Sequence, residues 1–283
     1  MGRFIDAYLN DSPEISSLYA RPISSLFDSP PASAPWDPDL VDSIRAFNKA
    51  LGHTPDFDGT EAVVITGQQP AVFGGPLYTI YKALTTIKLA QNISDTHGVP
   101  CVPIYWVGSE DHDFEEAATI YFPTKKHRSQ ALTMRQHPDD LGNALHQVRL
   151  TDQVHELIDI LGDEAPSGEF REEILQFLHD AARDSQSLAE WSTRCLARLF
   201  RGSPLVFFAP HLLAARKVGA QVIASAIKNP LHTSANVNDG AKVLEDLGYS
   251  AQVVKGSDEC AFFVESDLQR HKVTFDSDTF NLP

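Results

Sequence analysis

At 283 residues, with 42% apolar and 22% charged positions, the chain has the balance of a globular protein with a sizeable core in one large or two modest domains, and intrinsic disorder is excluded. Its 23 basic against 38 acidic side chains leave a net charge of −15, which repels a phosphate backbone and excludes nucleic-acid binding through a general basic surface. No apolar run approaches the ~20 residues of a membrane span, and the first residues, MGRFIDAYLNDSPEIS, carry acids where a secretory signal needs an unbroken apolar stretch.

A soluble, cytoplasmic protein is therefore expected. Cys101, Cys195 and Cys260 are far apart and form no C-x-x-C pair, so they read as buried or incidental thiols. Residues 28–38, DSPPASAPWDP, place prolines at Pro30, Pro31, Pro35 and Pro38 and predict an extended wrap over the surface. Residues 39–51 set Leu40, Val41, Ile44, Phe47 and Leu51 on one helical face, with Gly52 as the stop. Residues 62–66, AVVIT, predict a short strand, 67–76 a loop, and the spacing of Leu77, Ile80, Tyr81, Leu84 and Ile87 a long helix. Residues 99–107, VPCVPIYWV, are apolar on both faces, as a central parallel strand requires, although the two prolines are expected to restrict ladder pairing to the later half. Together these segments predict a right-handed βαβ unit.

Residues 124 to about 201 read as a connecting helical subdomain, with DDLGNALHQVRL, DQVHELIDILG and the stretch FREEILQFLHDAARDSQSLAEWSTRCLARLF all at helical period. A third core strand at 204–209, PLVFFA, and a helix at 212–228 restore α/β character. The tail adds a helix at 237–247 and strand candidates at 251–255, 261–265 and 272–276. The expected organisation is 1–123, the wrap and first α/β half; 124–203, the helical subdomain; and 204–283, the return to the core.

Two loops carry the chemistry. After the first strand, Gly67, Gly74 and Gly75 permit close backbone approach, and Pro76 suits the start of a helix. The amides of Gly74, Gly75 and Leu77 and the helix N-terminus then favour a carboxylate or phosphate. Gln68 and Gln69 add neutral donors and acceptors. The plainer reading is a tight turn, since the loop is neither a Walker motif nor a G-x-G-x-x-G fingerprint. After the second strand comes SEDHDFEE, residues 109–116. Ligands of open α/β sheets bind at the carboxyl ends of strands, so both loops should face one pocket. There His112, flanked by Asp111 and Asp113, suits general acid/base work, while the same acids are also good N-caps. A metal site at Asp111, His112 and Asp113 ranks below a metal-free one, because adjacent residues rarely converge on one ion. Lys82 either reaches the ligand or snorkels to solvent, and the basic run 125–128 reads as a solvated face.

The segments VVITGQQPAVFGGPLYTIYKALTTIKLA and VPIYWVGSEDHDFEEA resemble the bacillithiol-biosynthesis cysteine-adding enzymes, the BshC family, whose signatures are a G-Q-Q loop running into G-P-L-Y-T-x-Y-K and an S-E-D-H-D strand end. Residues 248–253 and 262–270 are similar to weaker family segments. Ala71 stands where glycine is frequent and Gly74 where threonine is common. The resemblance implies a Rossmann-like, nucleotidyltransferase-type core and the joining of cysteine to glucosaminyl-malate. It covers only the family's N-terminal half, so a truncated chain with one pocket wall missing is expected.

On that reading Gly74, Gly75 and Leu77 hold a substrate carboxylate. Gln68, Gln69, Tyr78, Ser109 and Glu110 bind substrate, and His112, oriented by Asp111 or Asp113, takes the proton of the attacking amine. No ATP signature is recognisable, and the activating donor, ATP or another nucleotide, is left open, as is a homodimer. The alternatives are a non-catalytic binding relative and a metal-dependent hydrolase.

Overall fold

The computed structural model describes residues 2–282. Its centre is a three-stranded parallel sheet in the order β1 (Ala62–Gln68), β2 (Cys101–Val107), β5 (Val206–Phe208). β1 and β2 are joined by the 21-residue helix α4 (Leu77–His97), closed by left-handed Gly98. The register runs from Ala62 opposite Cys101 to Gln68 opposite Val107. The ladder to β1 thus begins at Cys101 and includes Pro103, against the expectation that the prolines would confine pairing to the later half. Only the ladder to β5 behaves that way: it starts at Ile104, after Pro103.

Ahead of the sheet, α1 (Gly2–Leu9) and α2 (Pro13–Ser16) precede the proline-rich wrap, which ends where Asp37 caps α3 (Pro38–Ala50). Val41 and Ile44 of α3 pack on Val102, Ile104 and Val206 from one face of the sheet. On the other face Tyr105, Val107 and Phe207 meet Ala83 of α4 and Leu196 and Ala197 of α8 (Leu188–Leu199). The free edge of β5 is covered by a side chain: buried Asn48 of α3 accepts from the Phe207 N–H at 2.9 Å and donates to the Phe207 carbonyl at 2.8 Å. An amide side chain so placed occupies both backbone groups that a further strand would have used.

Between β2 and β5 lie the short α5 (Phe114–Ala117), the hairpin β3 (Thr119–Pro123) with β4 (Ser129–Thr133), and helices α6 (Gln153–Glu164), α7 (Arg171–Arg183) and α8. The hairpin corrects the helical reading of the first part of this region. A second correction concerns DDLGNALHQVRL, which forms a short 3-10 turn and then an irregular segment. Gly142 at φ +81° breaks the helix. Asp140 then binds the Arg149 backbone N–H at 3.1 Å and its Nε at 2.9 Å, closing residues 140–149 into a loop. The apolar spacing of Leu145 and Val148 reflects burial in a shared core with Val72, Phe114 and Trp191.

The tail holds α9 (Leu213–Lys228), α10 (His232–Asp246) and an antiparallel sheet of β6 (Glu259–Ser266), β7 (Gln269–Asp276) and β8 (Thr279–Asn281). Residues 251–255, expected as a strand, are not one. The Lys255 backbone N–H and carbonyl are instead taken by the Asn238 side chain, at 2.8 and 3.0 Å. No helix is long and apolar enough to cross a membrane among the described residues.

Candidate functional site

Parallel register puts the ends of β1 and β2 side by side, and the two signature loops leave from there. The Gly108 N–H donates to the Gln68 carbonyl at 3.0 Å, and Gln69 Nε2 donates to the Asp113 carbonyl at 2.9 Å. Gly67 and Gly108 make this approach feasible: a Cβ on Gly67 would stand 2.9 Å from the Trp106 carbonyl oxygen, and one on Gly108 3.3 Å from that of Gln68.

The loop after β1 is pinned from below. The Ala71 N–H donates to buried Ser192 of α8 at 3.0 Å, and Phe73 packs edge-on against Trp191 with centroids 5.1 Å apart. Phe73, Gly74 and Gly75 all have positive φ, at +57°, +87° and +88°. That reversal spends the Gly74 and Gly75 amides inside the loop, on the carbonyls of Ala71 and Val72. The donors facing outward at this end are therefore the first amides of α4, those of Leu77 and Tyr78, which have no intrahelical acceptor. Leu77 and Tyr78 are exposed. Lys82, one turn further on, donates to the Gly67 carbonyl at 3.0 Å and to Gln68 Oε1 at 2.9 Å, and lies 4.6 Å from the Tyr78 ring centroid. It thus fixes the Gln68 amide and brings a cation to the α4 N-terminus.

In the second loop Asp111 accepts the Asp113 N–H at 3.0 Å, and Asp113 caps α5 by accepting from Glu116 N–H at 3.3 Å. His112 points to solvent with its side chain about half exposed; its Nδ1 is 4.0 Å from Asp111, too far for a hydrogen bond. Glu110 lies 3.6 Å from Arg216 of α9. No group of three or more His, Cys, Asp or Glu side chains gathers as a metal site among the described residues.

Ser109 is fully buried. Its carbonyl accepts both the backbone N–H of His146, at 3.0 Å, and His146 Nδ1, at 2.9 Å, and its hydroxyl lies 2.7 Å from His211 Nδ1. The segment around residue 145 is also tied to this loop by the Leu145 N–H on the Asp111 carbonyl, at 2.7 Å. His146 and His211 had no sequence signal of their own: His146 falls in a stretch read as helix, and His211 just beyond a strand end. Only the position of His211 at the carboxyl edge of the sheet could have singled it out. Burial, with lesser contributions from His146 and Arg216, pulls His211 down to about 4, so it is neutral near pH 7.

A parallel sheet whose two adjacent strand ends carry a glutamine loop, a helix N-terminus and an acidic turn is a Rossmann-like α/β domain, a class whose ligands bind outside the carboxyl ends of the strands. The family model described as "Bacillithiol biosynthesis BshC, N-terminal Rossmann-like domain" matches residues 2–282, and the chain belongs to that family. A Salinibacter ruber relative is 30% identical over 88% of this chain and 48% of its own length. One from Symbiobacterium thermophilum is 32% identical over 73% and 39%, and one from Bacillus anthracis 26% identical over 78% and 40%. All three bear the name "Putative cysteine ligase BshC". The chain spans less than half the length of these relatives.

Proposed function

We propose that the chain carries a ligase-type site of bacillithiol biosynthesis, in which cysteine is joined through an amide to glucosaminyl-malate. The observation that supports this reading is the Gln69 to Asp113 hydrogen bond, which holds the two loops against each other beside Lys82 and Gln68. The Leu77 and Tyr78 amides, the α4 dipole and Lys82 favour a carboxylate there, as malate would offer. Gln68, Gln69 and Tyr78 suit hydroxyl groups of the sugar. His112, open to solvent at the rim, takes the proton that the amine must lose as the C–N bond forms. The departing carboxylate oxygen leaves with whatever group activates the acyl donor, ATP or another nucleotide being the candidate.

The test is incubation of the purified chain with L-cysteine, glucosaminyl-malate and ATP, with the product thiol followed by mass spectrometry. Product that disappears in His112→Ala, while that variant still binds glucosaminyl-malate, supports the mechanism; an equally active His112→Ala removes His112 from it. A second reading follows from the chain covering less than half of its relatives: it binds the sugar-malate and turns it over only with the remainder of such a protein. Saturable binding without product, alongside an active longer relative, favours that reading. A metal-dependent hydrolase is the weakest alternative, since Asp111 and Asp113 already serve as backbone caps.

A further inference from the structure

A cavity of about 1,100 Å³ lies between α1, residues 18–19, α10 and the loop at 248–253, and none of the residues of the two signature loops lines it. Small-molecule sites usually run to roughly 300–1,000 Å³, so this one has room for a long ligand. Its wall is apolar, with Phe4 on α1 and Val237 and Leu244 on α10. Ile5, Leu18, Tyr19, Val243 and Val253 also line it, and each is 40–57% exposed. Large apolar side chains scattered singly over a surface are ordinary, whereas five of them around one concavity mark a binding surface.

The lining holds one charged side chain, Arg3, in a protein whose net charge is −15. Its guanidinium sits 5.5 Å from the Tyr249 ring centroid, a cation–π contact that holds it beside the cavity. Phe4, the next residue, packs edge-on against the same ring with centroids 5.4 Å apart, which ties α1 to residue 249. Arg149, Arg194 and Arg216 each lie within 4 Å of a carboxylate, whereas Arg3 makes no ion pair among the described residues. A guanidinium presents a planar fork of N–H donors that matches a carboxylate. Gly240, on α10, also lines the cavity, and a Cβ built there meets nothing within 4 Å.

We propose that this cavity binds a single-chain amphiphile with a carboxylate head, the hydrocarbon tail lying along the apolar wall between α1 and α10 and the carboxylate paired with the Arg3 guanidinium. The tail covers apolar side chains that otherwise stand in water, and the head supplies the anion for the one charge of the lining. The proposal rests on the cavity alone, requires no turnover and is independent of the ligase reading.

Isothermal titration of the full chain tests it with hexanoate, octanoate and decanoate, all below their micellar range, and with 1-decanol as the analogue lacking the charge. Affinity for a single site should rise about fourfold per added methylene as more tail is buried. 1-Decanol should bind at least about tenfold more weakly than decanoate, for want of a charge-assisted hydrogen bond. Arg3→Gln should bring decanoate down to the affinity of the alcohol and leave 1-decanol unaffected, a split that loss of fold does not produce. Gly240→Leu fills the cavity with a side chain for which there is room, on a helix that leucine favours over glycine. It should abolish binding of both probes without lowering the melting temperature. The tail-length series is read on the unsubstituted protein and so stands whether or not a variant folds. No saturable binding of decanoate, affinity independent of tail length, an alcohol bound as tightly as the acid, or decanoate binding that survives Gly240→Leu overturns the proposal. Absence of ligase product leaves it untouched, so its failure and that of the ligase reading are separable.

Discussion

Asn48→Leu removes the side chain that closes the free edge of β5. Leucine keeps the branched heavy-atom shape but not the donor and acceptor, so the hydrogen bonds are lost, and the added bulk of its methyl groups can only increase the cost. Two backbone groups of Phe207, itself fully buried, lose their partners, the N–H at 2.9 Å and the carbonyl at 2.8 Å. An orphaned buried polar group costs ~1–3 kcal/mol, so the expected loss is about 2–6 kcal/mol, against a domain stability of ~5–15 kcal/mol. The third bond of Asn48, to the Ile44 carbonyl, lies within α3 and is not part of this sum. Urea unfolding should show a lower midpoint with an unchanged slope. Asn48→Asp sharpens the test: its carboxylate still accepts from the Phe207 N–H but faces the Phe207 carbonyl with no proton to give. Protonation restores a donor, so this aspartate should have a raised folded-state pKa and the variant's deficit should shrink as pH falls. A loss below ~1 kcal/mol for Asn48→Leu, at equal slope, would refute the claim that this amide completes the sheet.

Gly75 has φ +88° and ψ −175°, a region nearly closed to other residues, and an added Cβ would lie 3.1 Å from Thr79 Oγ1. Gly75→Ala should cost ~1–3 kcal/mol and weaken malate binding, as read by thermal melting and titration; an unchanged melting temperature contradicts the strain argument. His211 is lowered from 6.5 to about 4, so the unfolded chain binds its proton first as pH falls. The stability that His211 contributes is complete above about 6.5 and is lost between about 6.5 and 4. His211→Phe should flatten the pH dependence of the urea midpoint in that window; an identical slope in both proteins denies the neutral, buried ring. Lys82→Met should release Gln68 and lower malate affinity by at least tenfold, and an unchanged affinity would take Lys82 out of the proposed site.

Much of the α/β core is legible in the sequence because its signals are local. The runs at 62–66, 99–107 and 204–209 are largely apolar, the pattern of parallel strands, although β1 at the sheet edge buries only Ala62 and leaves Ile65 exposed, and α4 carries a helical period ended by Gly98. Where pairing partners are distant, local pattern misleads. DDLGNALHQVRL has helix-like apolar spacing, yet beside a few local turns it makes backbone bonds with Ser109, Asp111 and Leu188, which no window of neighbouring residues contains. Residues 251–255 look like a strand and find their partner in the side chain of Asn238.

The candidate site divides along the same line. The glycines, the two glutamines and the acidic turn were visible as motifs, and parallel pairing of β1 with β2 was enough to place both loops at one edge. Three features were decided only in three dimensions. The Gly74 and Gly75 amides turn inward, because successive positive φ values close the loop on itself. Lys82 reaches back over a helical turn to hold Gln68. Ser109, which reads as a ligand contact, is buried as the anchor of two histidines that lie 37 and 102 positions away. Residue type and spacing determine which chemistry a segment can offer, since that depends on covalent structure and nearest neighbours. Which groups are spent on the protein itself and which are left for a ligand depends on hydrogen-bond partners brought from far along the chain, and those exist only once the core has packed.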